Sequence, residues 1–269
     1  MISFPFCKIN LGLHILSRRS DGYHSIETCF YPVPWTDMLE VIPSKELIFT
    51  QTGISIPDEA SGNLCVKAYH LLKKDFEIGP AQIHLHKIIP MGAGLGGGSS
   101  DAAFMLVLLN EVFSLRLTMD QLKVYASQLG SDCAFFLERK PLLGRGRGEE
   151  LSDVAVDLKG KYLALIKPDI SISTREAYSN VKPRQRSEGV KEIIEKCSLS
   201  QWREFLINDF EESVFIKYPA IKEIKEYFYS KGASYASMSG SGSSVLGIFD
   251  MPIDLMQDFK GKLYWSGLL

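Results

Sequence analysis

Between Ile89 and Ala102 the chain reads Pro90-Met91-Gly92-Ala93-Gly94-Leu95-Gly96-Gly97-Gly98-Ser99-Ser100-Asp101, with five glycines in the seven positions from Gly92 to Gly98. A stretch with so few side chains contributes little to a core, so its neighbours must fix its shape. Ile83 to Ile89 has the pattern of a strand. Ala102 to Phe113 is apolar nearly all round, which predicts a buried helix. Strand, glycine loop and helix start form a geometry suited to phosphate. Glycines let backbone approach an anion and visit φ > 0 without steric cost. Free amides at a helix N-terminus then face the anion, aided by about half a unit of positive dipole charge. Ser99 and Ser100 add hydroxyls for a phosphate oxygen or a metal ion. The alternative, a flexible turn without a ligand, fits less well, because linkers this rich in glycine seldom have a helix packed directly behind them.

Three familiar glycine loops differ from this one. Gly92-x-Gly94-x-x-Gly97 has the spacing of a dinucleotide-binding turn. The acidic residue expected about twenty positions on, at the end of a second strand, is missing, since Glu111 lies inside the helix pattern. No Gly-Lys-Ser/Thr closes the run, so it is not a Walker A loop. Nor do the Val-Ala-x-Lys and His-Arg-Asp of a protein kinase follow.

A length of 269 residues suits one large or two ordinary domains, and 45% hydrophobic with 11% aromatic residues supplies a real core. A net charge of −2 gives no basic field for nucleic acid. The cysteines at 7, 29, 65, 133 and 197 lack metal-ligand spacing and read as reduced, mostly buried thiols. The N-terminus lacks the apolar core of a signal peptide and no run reaches membrane-spanning length, so we expect a cytoplasmic protein without a membrane partner.

Along the chain, Phe4 to Leu16 reads as a strand with Ile9, Leu11, Leu13 and Ile15 on one face and Lys8, Asn10, Gly12 and His14 on the other. That second face is either a binding surface or an ordinary exposed edge. Asp21-Gly22 marks a turn from which Tyr23 and His24 emerge together, an aromatic and a ring hydrogen-bonder that could hold a flat ligand or simply pack on a hairpin. Strand pieces from Thr28 to Ile42 should be broken by Pro32 and Pro34, and a further strand should run from Leu47 to Ile56. After Ser61-Gly62, Asn63 has the place of an N-cap, and Thr118 with Gln121 has capping-box spacing for a helix to Leu129. Asp132 lies between the Gly130 turn and an expected apolar strand at Phe135-Phe136, where a carboxylate is either a turn residue or has a chemical task. The loop Leu143 to Glu150, with Arg145 and Arg147, suits a turn between exposed strands, and we expect a divide near Val154, giving domains 1–154 and 155–269. Beyond it we expect a strand at Tyr162–Ile166, a short helix carrying Tyr178, a mobile polar loop at Lys182–Glu188, and helices over Val190–Cys197, Gln201–Phe210 and Ile221–Lys231. A third small-residue loop, Ser237 to Ser244, precedes a strand at Val245–Phe249.

Taken together, Lys8-Ile-Asn-Leu-Gly-Leu, Pro90-x-Gly-Ala-Gly-Leu-Gly-Gly-Gly-Ser-Ser and Ser239-Gly-Ser-Gly-Ser resemble the three motifs of the GHMP kinases, which phosphorylate small alcohols such as galactose, homoserine and mevalonate. Asp21-Gly-Tyr-His24, the triple glycine, Gly130-Ser-Asp132 and Ser171-Ile-Ser-Thr174 are similar to the member that acts on a cytidine diphosphate-linked polyol. The resemblance spans Lys8 to about Phe249. It implies an α+β fold of two domains with the active site in the cleft between them, and ATP and Mg²⁺ as cofactors. Lys8 and Asp132 would be the catalytic pair, with Asp132 accepting the hydroxyl proton. Pro90, Met91, Gly92, Ala93, Gly94, Leu95, Gly96, Gly97, Gly98, Ser99 and Ser100 would cradle the triphosphate, with Ser100 near the metal and Asn63 near adenine. Asn10 would hold substrate or position the pair, Tyr23 would stack on cytosine with Tyr178 opposite, and His24 and Thr174 would hydrogen-bond around the cytidine diphosphate. Ser239, Gly240 and Ser241 would close on the substrate phosphates. The protein would be a monomer or a homodimer. Asp101 stands where some members carry Asn, close to the phosphates. A mevalonate- or homoserine-type kinase would have no base for Tyr23 to stack on, and a silent ligand sensor would have no use for Lys8, Asp132 and Ser100.

Overall fold

The computed structural model describes residues 1–55 and 62–269. Its elements, in chain order, begin with β1 (Ile2–Ser3), β2 (Phe6–Arg18), β3 (His24–Thr36), β4 (Met38–Pro43), β5 (Ile48–Gly53), α1 (Leu64–Asp75), β6 (Ala81–Lys87), α2 (Gly97–Val112), α3 (Met119–Leu129) and α4 (Phe135–Glu138). They continue with β7 (Leu142–Arg145), β8 (Glu150–Asp153), β9 (Tyr162–Lys167), α5 (Thr174–Ser179), α6 (Val190–Lys196), α7 (Trp202–Phe205), α8 (Glu211–Lys217), α9 (Pro219–Ser230), β10 (Tyr235–Met238), β11 (Val245–Phe249) and β12 (Leu263–Leu268). No helix among the described residues is long and apolar enough to cross a membrane.

By contacts the chain forms two compact units: residues 1–7, 35–91 and 96–139, and residues 8–34, 92–95 and 140–269. Packing groups residues 8–34 and 92–95 with residues 140–269. The first unit is a mixed sheet in the order β1-β4-β6-β5, in which β5 and β6 run parallel. Its sheet packs on α2, and α2 on α1 and α3. Phe6 meets Phe104 edge-on at 5.6 Å between ring centres and packs beside Phe135 and Phe136. The second unit contains two four-stranded sheets, β2-β3-β7-β8 and β10-β11-β9-β12. Its core gathers Leu13 and Ile15 of β2, Ile166 of β9, Phe228 of α9 and Val245 and Phe249 of β11.

Several expectations need correction. Pro32 and Pro34 do not break the chain: β3 is one strand of 13 residues. Its pairing with β7 ends at Phe30, so on that side the prolines have no ladder partner to lose. The strand expected over Leu47–Ile56 covers Ile48–Gly53, while Ile56 and Ser61 lie outside the described residues. The apolar run after Asp132 is a helix of one turn, α4, because Phe135 and Phe136 both turn into the Phe6–Phe104 cluster. The helix expected to Phe210 stops at Phe205; Asn208 bridges to Leu13 and a new helix begins at Glu211. The Lys182–Glu188 segment is irregular yet fastened: Arg184 donates its backbone N–H to the Ile15 carbonyl at 2.9 Å, and Arg186 pairs with Asp209.

The capping expectations are met. Asn63 accepts from the Cys65 amide at 2.8 Å, and Thr118 and Gln121 form a reciprocal capping box. Of the five cysteines, Cys7, Cys29, Cys65 and Cys133 are buried and Cys197 is half-buried.

Candidate active site

Lys8 and Asn10 project from the polar face of β2, and that face is not an exposed edge: they are 5% and 2% exposed. A buried ammonium must be given acceptors. Lys8 Nζ donates to the side-chain oxygen of Asn10 and to the Gly94 carbonyl at 2.7 Å. It also lies 5.6 Å from the centre of the Phe30 ring. The Lys8 backbone N–H donates to the Leu95 carbonyl at 3.0 Å. Asn10 Nδ2 donates to Thr28 Oγ1 at 2.9 Å, which orients the amide so that its oxygen faces Lys8.

The third small-residue loop meets the same carbonyl. Ser239 Oγ donates to Gly94 O at 2.9 Å and accepts from the Asn10 backbone N–H at 3.2 Å. Ser244 N donates to the Ala93 carbonyl at 3.2 Å. Gly94 has φ +76°, and a Cβ there would lie 1.9 Å from the Ser239 carbonyl oxygen. Only glycine fits that contact. Gly240 is buried and Ser241 half-buried beside it.

The helix that follows begins earlier than its apolar run. The chain enters α2 through Gly96 in the left-handed region, and no side chain caps the first turn. The side chain of Ser100 is fully buried and its Oγ has no partner. Behind the loop stands a buried ion triad. Lys87 donates to Asp37 and, at 2.7 Å, to Asp101, with all three side chains at most 4% exposed. Asp37 also accepts from Ile88 N at 2.6 Å and Ile89 N at 2.8 Å. The triad thus ties the end of β6 to the first turns of α2. Asp101 turns toward Lys87, and burial, with Asp37 as a second carboxylate, raises its pKa to about 7 against the pull of Lys87.

Asp132 is half-buried in the turn before α4, in the first unit, whereas Lys8 belongs to the second. A Cβ on Gly130 would come 3.7 Å from Asp132 Oδ1 and 3.7 Å from Ser99 Oγ, so these side chains close around a position without one. Burial pushes the neighbouring Cys133 thiol up to about 12, which leaves it uncharged.

On the second unit, His24 stacks on Tyr178 at 4.8 Å with 17° between the rings, and Tyr178 receives Phe210 edge-on at 4.8 Å. Tyr23 is 57% exposed, and the Arg147 guanidinium lies 5.0 Å from its ring centre. Thr174 is exposed at the start of α5, behind the Ser173 cap.

Two features escaped the sequence reading. Arg145 and Arg147 are not idle turn residues: Arg145 pairs with the buried Glu27 at 2.7 Å, and Arg147 covers Tyr23. The turn Asn208–Glu211 is buried and polar, a combination that its Asn-Asp pair between apolar runs could have signalled.

The family description "GHMP kinases N terminal domain" matches residues 63–139, and "GHMP kinases C terminal" matches residues 184–258. A 4-diphosphocytidyl-2-C-methyl-D-erythritol kinase of Cytophaga hutchinsonii is 55% identical over 251 residues, covering 93% of each chain. The chain belongs to the GHMP kinases. A relative of the same name from Parabacteroides distasonis is 49% identical over the full length of both chains. A crystal structure of 4-(cytidine 5'-diphospho)-2C-methyl-D-erythritol kinase superposes with a TM-score of 0.83 at 30% identity, covering 99% of this chain and 98% of that one. A mevalonate kinase, at 12% identity and a TM-score of 0.76, shares the fold. In this GHMP kinase the first and third motifs thus converge on one atom of the second, the Gly94 carbonyl oxygen.

Proposed function

We propose that this chain transfers the γ-phosphoryl group of ATP to the 2-hydroxyl of 4-diphosphocytidyl-2-C-methyl-D-erythritol, a step of the methylerythritol phosphate route to isoprenoid precursors. The observation that carries the reading is the buried Lys8 ammonium on the Gly94 carbonyl, a fixed cation on a phosphate-type loop, in a chain 49–55% identical to kinases of that name. Phosphoryl transfer needs positioning and charge neutralisation more than covalent chemistry. The uncapped amides at the start of α2, with the backbone from Pro90 to Ser99, bind the triphosphate. Asn63 lies toward the adenine. Asp132 accepts the proton of the substrate hydroxyl, a role worth about 10²–10⁴ in rate. Lys8 stabilises charge on the nascent alkoxide and the transferring group, and Asn10 holds Lys8 and the substrate.

Among the described residues, no group of three or more His, Cys, Asp or Glu side chains is arranged to hold a metal. The unpartnered hydroxyl of Ser100 is an oxygen donor that would suit Mg²⁺. When bound, the ion neutralises phosphate charge. Tyr23, with Tyr178 as the other ring, receives the cytosine, His24 and Thr174 bond around the cytidine diphosphate, and the backbone from Ser239 to Ser241 closes on its phosphates, the Ser239 hydroxyl being taken by the Gly94 carbonyl. Scattered cysteines that read as reduced thiols suit the cytoplasm. ADP release measured with the cytidyl polyol, mevalonate, homoserine and galactose tests the reading. Turnover with the cytidyl polyol alone is expected, and preference for any other acceptor overturns it.

A further inference from the structure

The turn Asn208-Asp209-Phe210-Glu211 takes three polar side chains into the interior, and none has a part in the chemistry above. Asn208 is 1% exposed, yet its amide is fully used. Nδ2 donates to the Met238 carbonyl at 2.7 Å and to the Gly240 carbonyl at 2.9 Å, while Oδ1 accepts from Phe210 N at 3.0 Å. The two carbonyls flank Ser239. Glu211 adds bonds from Met238 N at 2.8 Å and Ser237 Oγ at 3.1 Å, and is neutralised by Lys225 at 2.6 Å. On its other side the turn is fastened to β2. Asp209 accepts from Ile15 N at 2.7 Å, and its own N–H donates to the Leu13 carbonyl at 2.8 Å.

We infer that Asn208 is a positioning residue for phosphoryl transfer: by gripping the carbonyls of Met238 and Gly240 it fixes Ser239, and through Ser239 and the Gly94 carbonyl it fixes the Lys8 ammonium. The inference rests on the kinase reading. The link is short, since Ser239 Oγ and Lys8 Nζ both donate to Gly94 O, at 2.9 and 2.7 Å. A carbonyl oxygen has two lone pairs, so these donors occupy it, and displacing one changes where the other sits. The chemistry of the turn demands this side chain. Two N–H donors and an acceptor in one small plane come only from a carboxamide; Asp donates nothing when ionised and Leu offers neither. Misplacing a catalytic group by about 1 Å costs on the order of 10²-fold in rate.

A purely structural Asn208 would change the yield of folded protein and leave the constants per binding site alone. The test therefore counts active sites by nucleotide titration. It measures kcat and KM with the cytidyl polyol for the wild type, Asn208→Ala, Ser239→Ala and the double variant. Each single variant is expected to lose about ten- to a hundredfold in kcat, with KM for the polyol moving less than about threefold. The double variant should lose no more than about threefold beyond the worse single one, because both changes break one relay. Ser239→Ala keeps the test alive should Asn208→Ala fail to fold. Unchanged kcat in Ser239→Ala or in folded Asn208→Ala, a change confined to KM, or losses that multiply in the double variant would overturn the inference. A wild type inert toward the cytidyl polyol would strike at the kinase reading instead.

Discussion

His14 lies two residues past Gly12 on the face that carries Lys8 and Asn10, fully buried, with neither ring nitrogen partnered. Burial first, and the Arg186 guanidinium second, lower its pKa from 6.5 to about 4, while Asp209 and Glu27 pull the other way. The unfolded chain binds a proton at His14 between pH 6.5 and 4 that the folded chain refuses, so this contribution to stability is full above 6.5 and drains as pH falls. At about 1.4 kcal/mol per pKa unit the loss approaches about 3 kcal/mol. His14→Leu removes the titrating ring without leaving a hydrogen bond unmade. It should therefore flatten the pH dependence of urea unfolding between pH 6.5 and 4.5; an unaltered slope would clear His14 of the effect. Asp101 acts in the opposite sense. Its raised pKa gives stability that is present at low pH and lost as pH rises toward 7, so the comparison must be variant against wild type. The alternation along β2 was legible from the apolar residues alone. What covers the second face was not, because a period of two sorts side chains onto faces without saying what packs there.

The glycine loop shows how much of an element the sequence can specify. Its strand and helix were readable from pattern, but the reason for each glycine was not, since it depends on chain far away in sequence. Gly92 and Gly94 both have positive φ, yet a Cβ on Gly92 would meet nothing within 4 Å, while one on Gly94 would collide with the Ser239 carbonyl at 1.9 Å. Gly92→Ala should therefore cost only the left-handed strain of about 1–2 kcal/mol. Gly94→Ala should shift the loop and raise the KM for ATP more than about tenfold, since a 1.4 kcal/mol loss of binding is already tenfold. Equal effects of the two variants in steady-state kinetics would show that the contact with Ser239 does not govern the loop. Behind it, Lys87→Met would strand two buried carboxylates. Breaking a buried pair in this way typically costs about 3–5 kcal/mol, which denaturant unfolding would register. The Asn208 turn was lost in the sequence because the spacing around it continued a helical pattern, and its true partners lie at residues 13, 15, 238 and 240.

At the scale of the whole chain, both proposed substrates are anions, while acids outnumber bases by 32 to 30. In the proposed reading attraction is therefore local: backbone amides at α2 for one ligand, and an aromatic with neighbouring arginines for the other. The three motifs made the family legible although they sit near residues 8, 94 and 240, because each is specific by itself. The weave of the two units was not legible, since no local pattern tells that residues 92–95 pack with the C-terminal half. Local capture has a consequence for ligand-linked stability. A ligand that binds only the folded state at a hundred times its Kd adds about 2.7 kcal/mol. At roughly 2–4 °C per kcal/mol for a chain of this size, Tm should rise by about 5–10 °C. A non-hydrolysable ATP analogue with Mg²⁺, and CDP alone, should each produce such a rise in calorimetry. Gly94→Ala should cut the first to about half or less, since a ligand at ten rather than a hundred times its Kd adds only about 1.4 kcal/mol, and should lower the second by less. Tyr23→Ala should keep the first and abolish most of the second, because a stacked base is worth about 1–3 kcal/mol. If CDP stabilised Tyr23→Ala as well as the wild type, the exposed ring under Arg147 would not be the seat of the base, and the choice among acceptors would have to come from Tyr178 and His24.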